Sequence, residues 1–127
     1  LLGMQDVIYR NTGVKTTLMR FPGGSSNTVS AHSYVGLMSL LTRAVQDAGF
    51  QYFDWNVDSN DWQGYGWTTL YTNVLKDAEE FSSPVILFHN TGDRDNTVLV
   101  IEDIIKALKN KGYKFGSLSQ KIKPVQF

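Results

Sequence analysis

Side chains that can do acid–base chemistry follow three short apolar segments of the chain. Arg20 closes the first segment, Asp58 and Asp61 follow the second, and His89 directly follows the third. An imidazole beside a carboxylate suits general acid–base catalysis, because the negative charge favours the protonated ring. Each residue also has an ordinary explanation: a surface ion pair for the arginine, capped turns for the aspartates, and a hydrogen-bonded core position for the histidine. Their coincidence at three successive segment ends favours a functional site.

The apolar segments alternate with helical patterns. Between the segments, apolar residues recur at three- and four-residue spacing, whereas 84–88 is the continuous apolar run of a strand covered on both faces. Because strands that alternate with helices form parallel sheets or barrels, we predict an α/β fold whose strand ends open on one face. The predicted helices are 6–11, 34–48, 69–81 and 97–111, and the predicted strands are 15–20, 51–57, 84–88 and 113–116.

The same spacing predicts which helical residues face inward and where the helices end. Gly13, Gly49 and Gly112 each follow a helical pattern and are predicted to close it in the left-handed conformation. The predicted inward-facing residues are Met4, Val7, Ile8, Val35, Met38, Leu41, Val45, Ala48, Leu70, Val74, Leu75, Ala78, Val98, Ile101, Ile104, Ile105 and Leu108.

The composition is that of one globular domain. The chain has 127 residues, enough to bury a core, with a hydrophobic share of 42% and a charged share of 19%. Twelve basic and twelve acidic side chains cancel, so there is no basic excess of the kind that binds nucleic acid or anionic membranes. No apolar run is long enough to span a bilayer. Cysteine is absent, which excludes disulfides and thiolate chemistry.

Three motifs occur in the order of a known family. They are Arg20-Phe21-Pro22-Gly23-Gly24, Asp58-Ser59-Asn60-Asp61-Trp62 and Leu87-Phe88-His89. They resemble the third, fourth and fifth motifs of the polysaccharide deacetylases, the NodB-like carbohydrate esterases of family 4, and the resemblance runs over nearly the whole chain. It implies a partial, distorted (β/α) barrel. It also implies metal-dependent removal of N-acetyl or O-acetyl groups from chitin, peptidoglycan, xylan and related polymers.

The resemblance implies catalytic roles for three residues. His89 resembles the general acid that protonates the leaving amine, and Asp61 resembles the carboxylate that orients and tunes this histidine. Arg20 resembles the arginine that holds the catalytic aspartate of the family's first motif. Asp58 could compete with Asp61 for the histidine, and the sequence leaves open which carboxylate lies closer.

The resemblance also implies where the substrate binds. Trp62 and Leu87 resemble the walls of the pocket for the acetyl methyl group, which an indole and a branched aliphatic side chain can enclose. Pro22 and Asp58 complete the residues that we expect at the substrate.

The sequence departs from the family's pattern in two places. Asn90 stands where many members have an acid after the histidine. The first two motifs, which supply the catalytic aspartate and the Asp-His-His metal ligands, are absent, and His32 has no second histidine four residues on. Together with a start at Leu1 rather than Met, this predicts that residues 1–127 are the C-terminal portion of a deacetylase domain.

The absence of the first two motifs determines which cofactor and partners we expect. We expect a divalent metal, zinc by preference, in the complete domain, and neither metal binding nor activity for this chain alone. Open strand edges favour self-association or an upstream fragment that completes the barrel. The resemblance places the protein outside the cell or in the cell envelope of a bacterium, although no signal peptide is visible.

The sequence is therefore consistent with two functions. The leading hypothesis is a deacetylase that removes acetyl groups, N-acetyl by preference, from a bacterial cell-wall or chitin-like polysaccharide. The alternative is a carbohydrate-binding domain or pseudoenzyme in which Trp62, Tyr65 and Trp67 hold a glycan without turnover.

Overall fold

The computed structural model describes residues 2–90 and 95–127, which divide into two compact units. The first unit contains the described residues up to Asp54 together with Leu118–Phe127, and the second contains the described part of Trp55–Ser117. The described elements are, in chain order, α1 (Leu2–Thr12), β1 (Leu18–Met19), a 3₁₀ turn (Val29–His32), α2 (Leu37–Asp47), β2 (Gln51–Tyr52), β3 (Val57–Asp58), a second 3₁₀ turn (Asp61–Gln63), α3 (Trp67–Ala78), β4 (Ile86–Leu87) and α4 (Asp95–Asn110).

The first unit is built on the parallel pair β1 and β2, which α2 connects. Leu18 lies opposite Gln51 and Met19 lies opposite Tyr52. The ring of Tyr52 meets the ring of Phe21 edge-on, with centroids 5.3 Å apart. The core of this unit consists of Phe21, Val45, Phe50 and Tyr52, with Met19 and Met38 packed against it.

The second unit is built on the parallel pair β3 and β4, which α3 connects. Its core is larger, because α3 and α4 pack against each other and α3 packs on β3. All four predicted inward-facing residues of α3 are buried, which confirms the amphipathic pattern of this helix. The buried core residues are Val57, Leu70, Val74, Leu75, Ala78, Val100, Ile104 and Leu108.

Among the described residues, no helix is both long enough and apolar enough to cross a membrane.

The strand predicted over 51–57 is instead two strands, β2 and β3. The N–H of Phe53 donates to the carbonyl oxygen of Met19 (3.0 Å), which continues the pairing with β1. Four residues later, the N–H of Val57 donates to the carbonyl oxygen of Val85 (3.2 Å), next to β4. The backbone changes its hydrogen-bonding partner within one apolar run, and the prediction of a single strand was wrong for this reason.

A buried carboxylate lies in the break between β2 and β3. Asp54 is 2% exposed and accepts hydrogen bonds from the backbone N–H of Ser25 (2.8 Å), the hydroxyl of Ser25, and the backbone N–H of Phe127 (2.9 Å). Buried carboxylates require such donors. Asp54 therefore anchors the loop after Arg20 at Ser25 and the backbone of Phe127, a structural role that the sequence did not reveal.

Helix boundaries and faces differ from the prediction in several places. α2 begins three residues late, because Gly36 adopts the left-handed conformation (φ 82°) directly before it. Val35 is therefore outside the helix. In α4 the buried stripe is offset: Val100 is buried and Val98 is not. The predicted inward-facing residues that prove to be exposed are Met4, Val7, Val35, Leu41, Ala48 and Val98.

The last predicted strand, 113–116, is not a strand. The N–H of Tyr113 donates to the carbonyl oxygen of Leu108 (3.0 Å), and the N–H of Gly112 donates to that of Lys109 (3.0 Å). With Gly112 at φ 93°, these two bonds make the Schellman closure of α4. The predicted cap at Gly112 is confirmed, and the residue that was to begin the strand is used to end the helix.

Candidate active site

The carboxylate of Asp61 and the imidazole of His89 form a direct pair in the second unit. Oδ1 of Asp61 lies 2.7 Å from Nδ1 of His89, and Oδ2 accepts the backbone N–H of His89 at 2.9 Å. The side chain of Asp61 is fully buried, whereas 32% of the His89 side chain is exposed. Because an ionised carboxylate only accepts hydrogen bonds, Nδ1 carries the shared proton. Nε2, which no described residue bonds, is the nitrogen that can exchange a proton with a bound molecule.

The parallel pairing of β3 with β4 brings these two residues together. Asp58 lies opposite Leu87, and the N–H of Ser59 donates to the carbonyl oxygen of Leu87 (3.2 Å). Asp61 and His89 lie three and two residues beyond the last paired positions. Both side chains therefore stand at the carboxyl ends of neighbouring parallel strands, where functional groups of α/β folds gather.

A tight turn aims Asp61 at the histidine. Asn60 adopts the left-handed conformation (φ 54°), which asparagine tolerates better than most residues. Oδ1 of Asp58 accepts the backbone N–H of Asn60 (2.9 Å), and Oγ of the buried Ser59 accepts that of Asp61 (3.3 Å). The question that the sequence left open is thereby answered. The carboxylate of Asp58 stabilises the turn, and the carboxylate of Asp61 bonds His89.

The surroundings of Asp61 keep its carboxylate ionised. Burial by itself raises the pKa of Asp61, because a charge is poorly solvated inside a protein. Hydrogen bonds from the His89 ring and backbone, from Thr97 and from Ser59 favour the charged form and together outweigh burial. The pKa of Asp61 is therefore below its ordinary value.

The lowered pKa of Asp61 predicts a pH dependence of stability. Because this pKa is depressed in the folded state, the carboxylate stabilises the fold above the ordinary Asp pKa of about 3.9. The contribution is lost as the pH falls from there through the folded-state pKa. We expect Asp61→Asn to lower the free energy of unfolding clearly at pH 7, and this difference from wild type to shrink as the pH falls below that range. Urea unfolding at a series of pH values measures it.

The control for this experiment is Asp58→Asn, in the same turn. Among the described residues, the carboxylate of Asp58 accepts the backbone N–H of Asn60, within its own turn. Asp58→Asn should therefore lower the free energy of unfolding at pH 7 by less than Asp61→Asn does. A difference for Asp61→Asn that is the same at every pH would contradict a stabilising charge at this position.

The residues predicted to enclose the acetyl group lie beside the pair in sequence. Leu87 is buried (8% exposed) and lies two residues before His89. Trp62 follows Asp61 in the 3₁₀ turn and is 55% exposed. A half-exposed indole next to the carboxylate is available to a ligand, and the substrate roles of Trp62, Leu87 and Asp58 stay predictions.

Arg20 and Pro22 belong to the first unit. Arg20 follows β1 directly and is exposed, and its Nη1 donates to the carbonyl oxygen of Phe21 at 3.4 Å. Pro22 is exposed in the loop that follows. Their predicted roles, holding a catalytic aspartate and contacting substrate, stay predictions.

The sequence did not identify every residue that supports the pair. Oγ1 of Thr97 donates to Oδ2 of Asp61 at 2.9 Å, although 36 positions separate the two residues. A threonine near the start of an apolar helical run indicates only a helix N-terminus. No local signal in the sequence connects it with an aspartate in another loop.

The described residues do not form a metal centre. Within residues 2–90 and 95–127, no three His, Cys, Asp or Glu side chains are grouped so that they could hold a metal ion. This part of the chain does not fit the divalent metal that the family resemblance implies. The metal stays a prediction for the complete domain.

Comparison with known proteins places this arrangement in a family. A carboxylate-bonded histidine at the carboxyl ends of parallel strands is suited to acid–base chemistry on a bound ligand. The protein YheN of Bacillus subtilis (strain 168), whose name describes a polysaccharide deacetylase, is 35% identical over 126 residues, covering 95% of this chain and 41% of YheN. A peptidoglycan-N-acetylglucosamine deacetylase of Bacillus cereus is 30% identical over 106 residues, covering 81% of this chain and 44% of that protein. No protein-family model matches the chain.

A solved structure agrees with these relatives. The catalytic domain of peptidoglycan N-acetylglucosamine deacetylase from Eubacterium rectale superposes with a TM-score of 0.93 at 32% identity, covering 100% of this chain and 58% of that one. Over nearly its whole length the chain is therefore similar to polysaccharide deacetylases, the family that its motifs resemble. The family and the α/β fold predicted from the motifs are confirmed. The chain spans about two fifths of the length of the curated relatives that it matches.

Proposed function

We propose that the protein carrying this chain removes acetyl groups from N-acetylglucosamine residues of peptidoglycan or a related cell-wall polysaccharide. The buried Asp61 bonded to a partly exposed His89 is the observation that carries this proposal. An ionised carboxylate stabilises the protonated form of a neighbouring imidazole. The pair therefore supplies a proton donor whose second ring nitrogen can reach a ligand.

Hydrolysis of an N-acetyl group needs such a donor. A water oxygen bonds to the acetyl carbon and gives up a proton to a base outside this chain. The bond between that carbon and the sugar nitrogen breaks, and acetate and a free amino sugar result. An amine leaves poorly as an anion, so its nitrogen must gain a proton as the bond breaks. In the proposed reaction His89 gives this proton from Nε2. Asp61 meanwhile holds Nδ1–H and stabilises the charged ring before the transfer.

The names of the similar proteins support the choice of substrate. The relative from Bacillus cereus and the structure from Eubacterium rectale are both named for deacetylation of peptidoglycan N-acetylglucosamine. The half-exposed indole of Trp62 offers an apolar surface of the kind that packs against sugar rings and acetyl methyl groups. Such a substrate implies a protein that acts outside the cytoplasm, in the cell envelope or beyond it.

No step of the proposed mechanism runs through a metal, because the described residues form no metal centre. We propose that a divalent metal bound elsewhere in the complete domain takes part in the reaction. The chemistry assigned to this chain is the delivery of a proton to the leaving nitrogen.

The test is an assay of acetate and free amine. The protein that carries this chain is incubated with N-acetylated peptidoglycan and with N-acetylglucosamine oligomers, and both products are quantified over time. We expect acetate and free amino groups to appear in equal amounts, and O-acetylated xylan to react more slowly. Binding of these glycans without acetate release would contradict the proposal and favour the carbohydrate-binding alternative.

A further inference from the structure

Thr97 connects α4 to the acid–base pair. It lies in the first turn of α4, is 4% exposed, and donates through Oγ1 to Oδ2 of Asp61 at 2.9 Å. A hydroxyl at this depth requires an acceptor, because an unpaired buried polar group costs free energy. Asp61 supplies that acceptor, so the contact serves both residues.

The packing of α4 fixes the position of this hydroxyl. Thr97, Val100, Ile104 and Leu108 follow each other at three- and four-residue spacing and are all buried, so they lie on one face of the helix. The three apolar members belong to the core of the second unit. The hydroxyl is therefore presented by a packed helix rather than by a loop.

The two oxygens of Asp61 have different tasks. Oδ2 accepts the backbone N–H of His89 and the hydroxyl of Thr97, both at 2.9 Å, whereas Oδ1 bonds Nδ1 of the ring. Two donors on Oδ2 fix the plane of the carboxylate and thereby the direction of Oδ1. Without the hydroxyl, Oδ2 keeps only the backbone N–H of His89, and the carboxylate is held less tightly in its plane.

We propose that Thr97 is a positioning residue for the acid–base pair. Its hydroxyl fixes the orientation of the Asp61 carboxylate, which in turn fixes the tautomer and the orientation of the His89 ring. The catalytic consequence rests on the proposed function, whereas the state of the ring can be measured without any substrate.

The first measurement is therefore spectroscopic. In the ¹⁵N-labelled protein that carries this chain, NMR follows the Nδ1 proton of His89 and its exchange with water. Thr97→Val removes the hydroxyl at nearly constant volume, and Thr97→Ser keeps it. We expect exchange in the valine variant to be about tenfold faster, as for the loss of one ordinary hydrogen bond. The serine variant should match wild type.

The second measurement is kinetic. Thr97 is buried and bonds Asp61 rather than a ligand, so Thr97→Val should lower kcat about tenfold while KM stays nearly constant. Thr97→Ser should restore kcat. Should the valine variant fail to fold, Thr97→Ala takes its place in both measurements. Alanine also lacks the hydroxyl, and its side chain is smaller than that of valine.

Wild-type exchange of the ring proton in Thr97→Val or Thr97→Ala would overturn the proposal. Equal perturbation by Thr97→Ser would also overturn it, because packing rather than the hydroxyl would then be responsible. If the ring proton responds as expected but the wild-type protein releases no acetate, the positioning of the ring stands and the proposed function fails.

Discussion

Replacing His89 by alanine is expected to lower kcat for N-deacetylation by about 10²–10⁴, the usual contribution of a general acid or base. The leaving nitrogen then has to take its proton from water. KM should change little, because the proton is needed in the transition state rather than in substrate binding. The backbone N–H of His89, which donates to Asp61, remains in this variant, so the local structure should persist. Steady-state assays of acetate release measure both parameters.

The chain offers a matched control for this substitution. Its other histidine, His32, is exposed and ends the first 3₁₀ turn. His32→Ala removes the same side chain from an exposed position that bonds no buried carboxylate among the described residues, and it should leave kcat near the wild-type value. Wild-type turnover in His89→Ala would remove this histidine from the mechanism.

The second large effect is expected for Asp61→Asn. An amide cannot stabilise the protonated ring by charge, and its NH₂ group can impose the wrong tautomer on His89, a defect that costs up to about 10⁴ in kcat in serine proteases. We expect kcat for N-deacetylation to fall by up to about 10⁴ while KM changes little. Steady-state assays of acetate release measure both parameters.

Asp58→Asn is the control that distinguishes the loss of the charge at Asp61 from the loss of a charge elsewhere in the same turn. Asp58 lies three residues from Asp61 and its carboxylate bonds the turn, not the ring. Its variant should therefore lose much less of the wild-type kcat than Asp61→Asn does. Equal losses of kcat in the two variants would contradict a specific role of the Asp61 carboxylate beside His89.

Local patterns predicted well what local forces determine. The inward face of α3 was predicted correctly because its apolar residues recur regularly over the whole helix and meet a complementary core. The end of α4 was also predictable from a local feature, because Gly112 provides the left-handed conformation that closes a helix. Their positions at strand ends indicated that Asp58, Asp61 and His89 lie close together, and the family resemblance indicated Asp61 as the partner of the histidine.

Non-local hydrogen bonds decided the features that the sequence did not reveal. The run 51–57 looks like one strand, yet its two ends pair with different neighbours. Asp54, which separates β2 from β3 in the sequence, is buried. Thr97 reaches Asp61 across 36 positions. Neither the strand partners of 51–57 nor the contact between Thr97 and Asp61 can be inferred from residue spacing. The choice between Asp58 and Asp61 likewise depended on the left-handed turn at Asn60.

The most direct test of the central claim compares two leaving groups in His89→Ala. An amine must be protonated as it leaves, whereas an aryl oxide leaves readily without a proton. If His89 delivers that proton, the variant should lose about 10²–10⁴ in kcat on an N-acetylglucosamine oligomer. It should lose far less on an aryl acetate. Equal losses on the amide and on the aryl ester would contradict the assignment of His89 as the general acid.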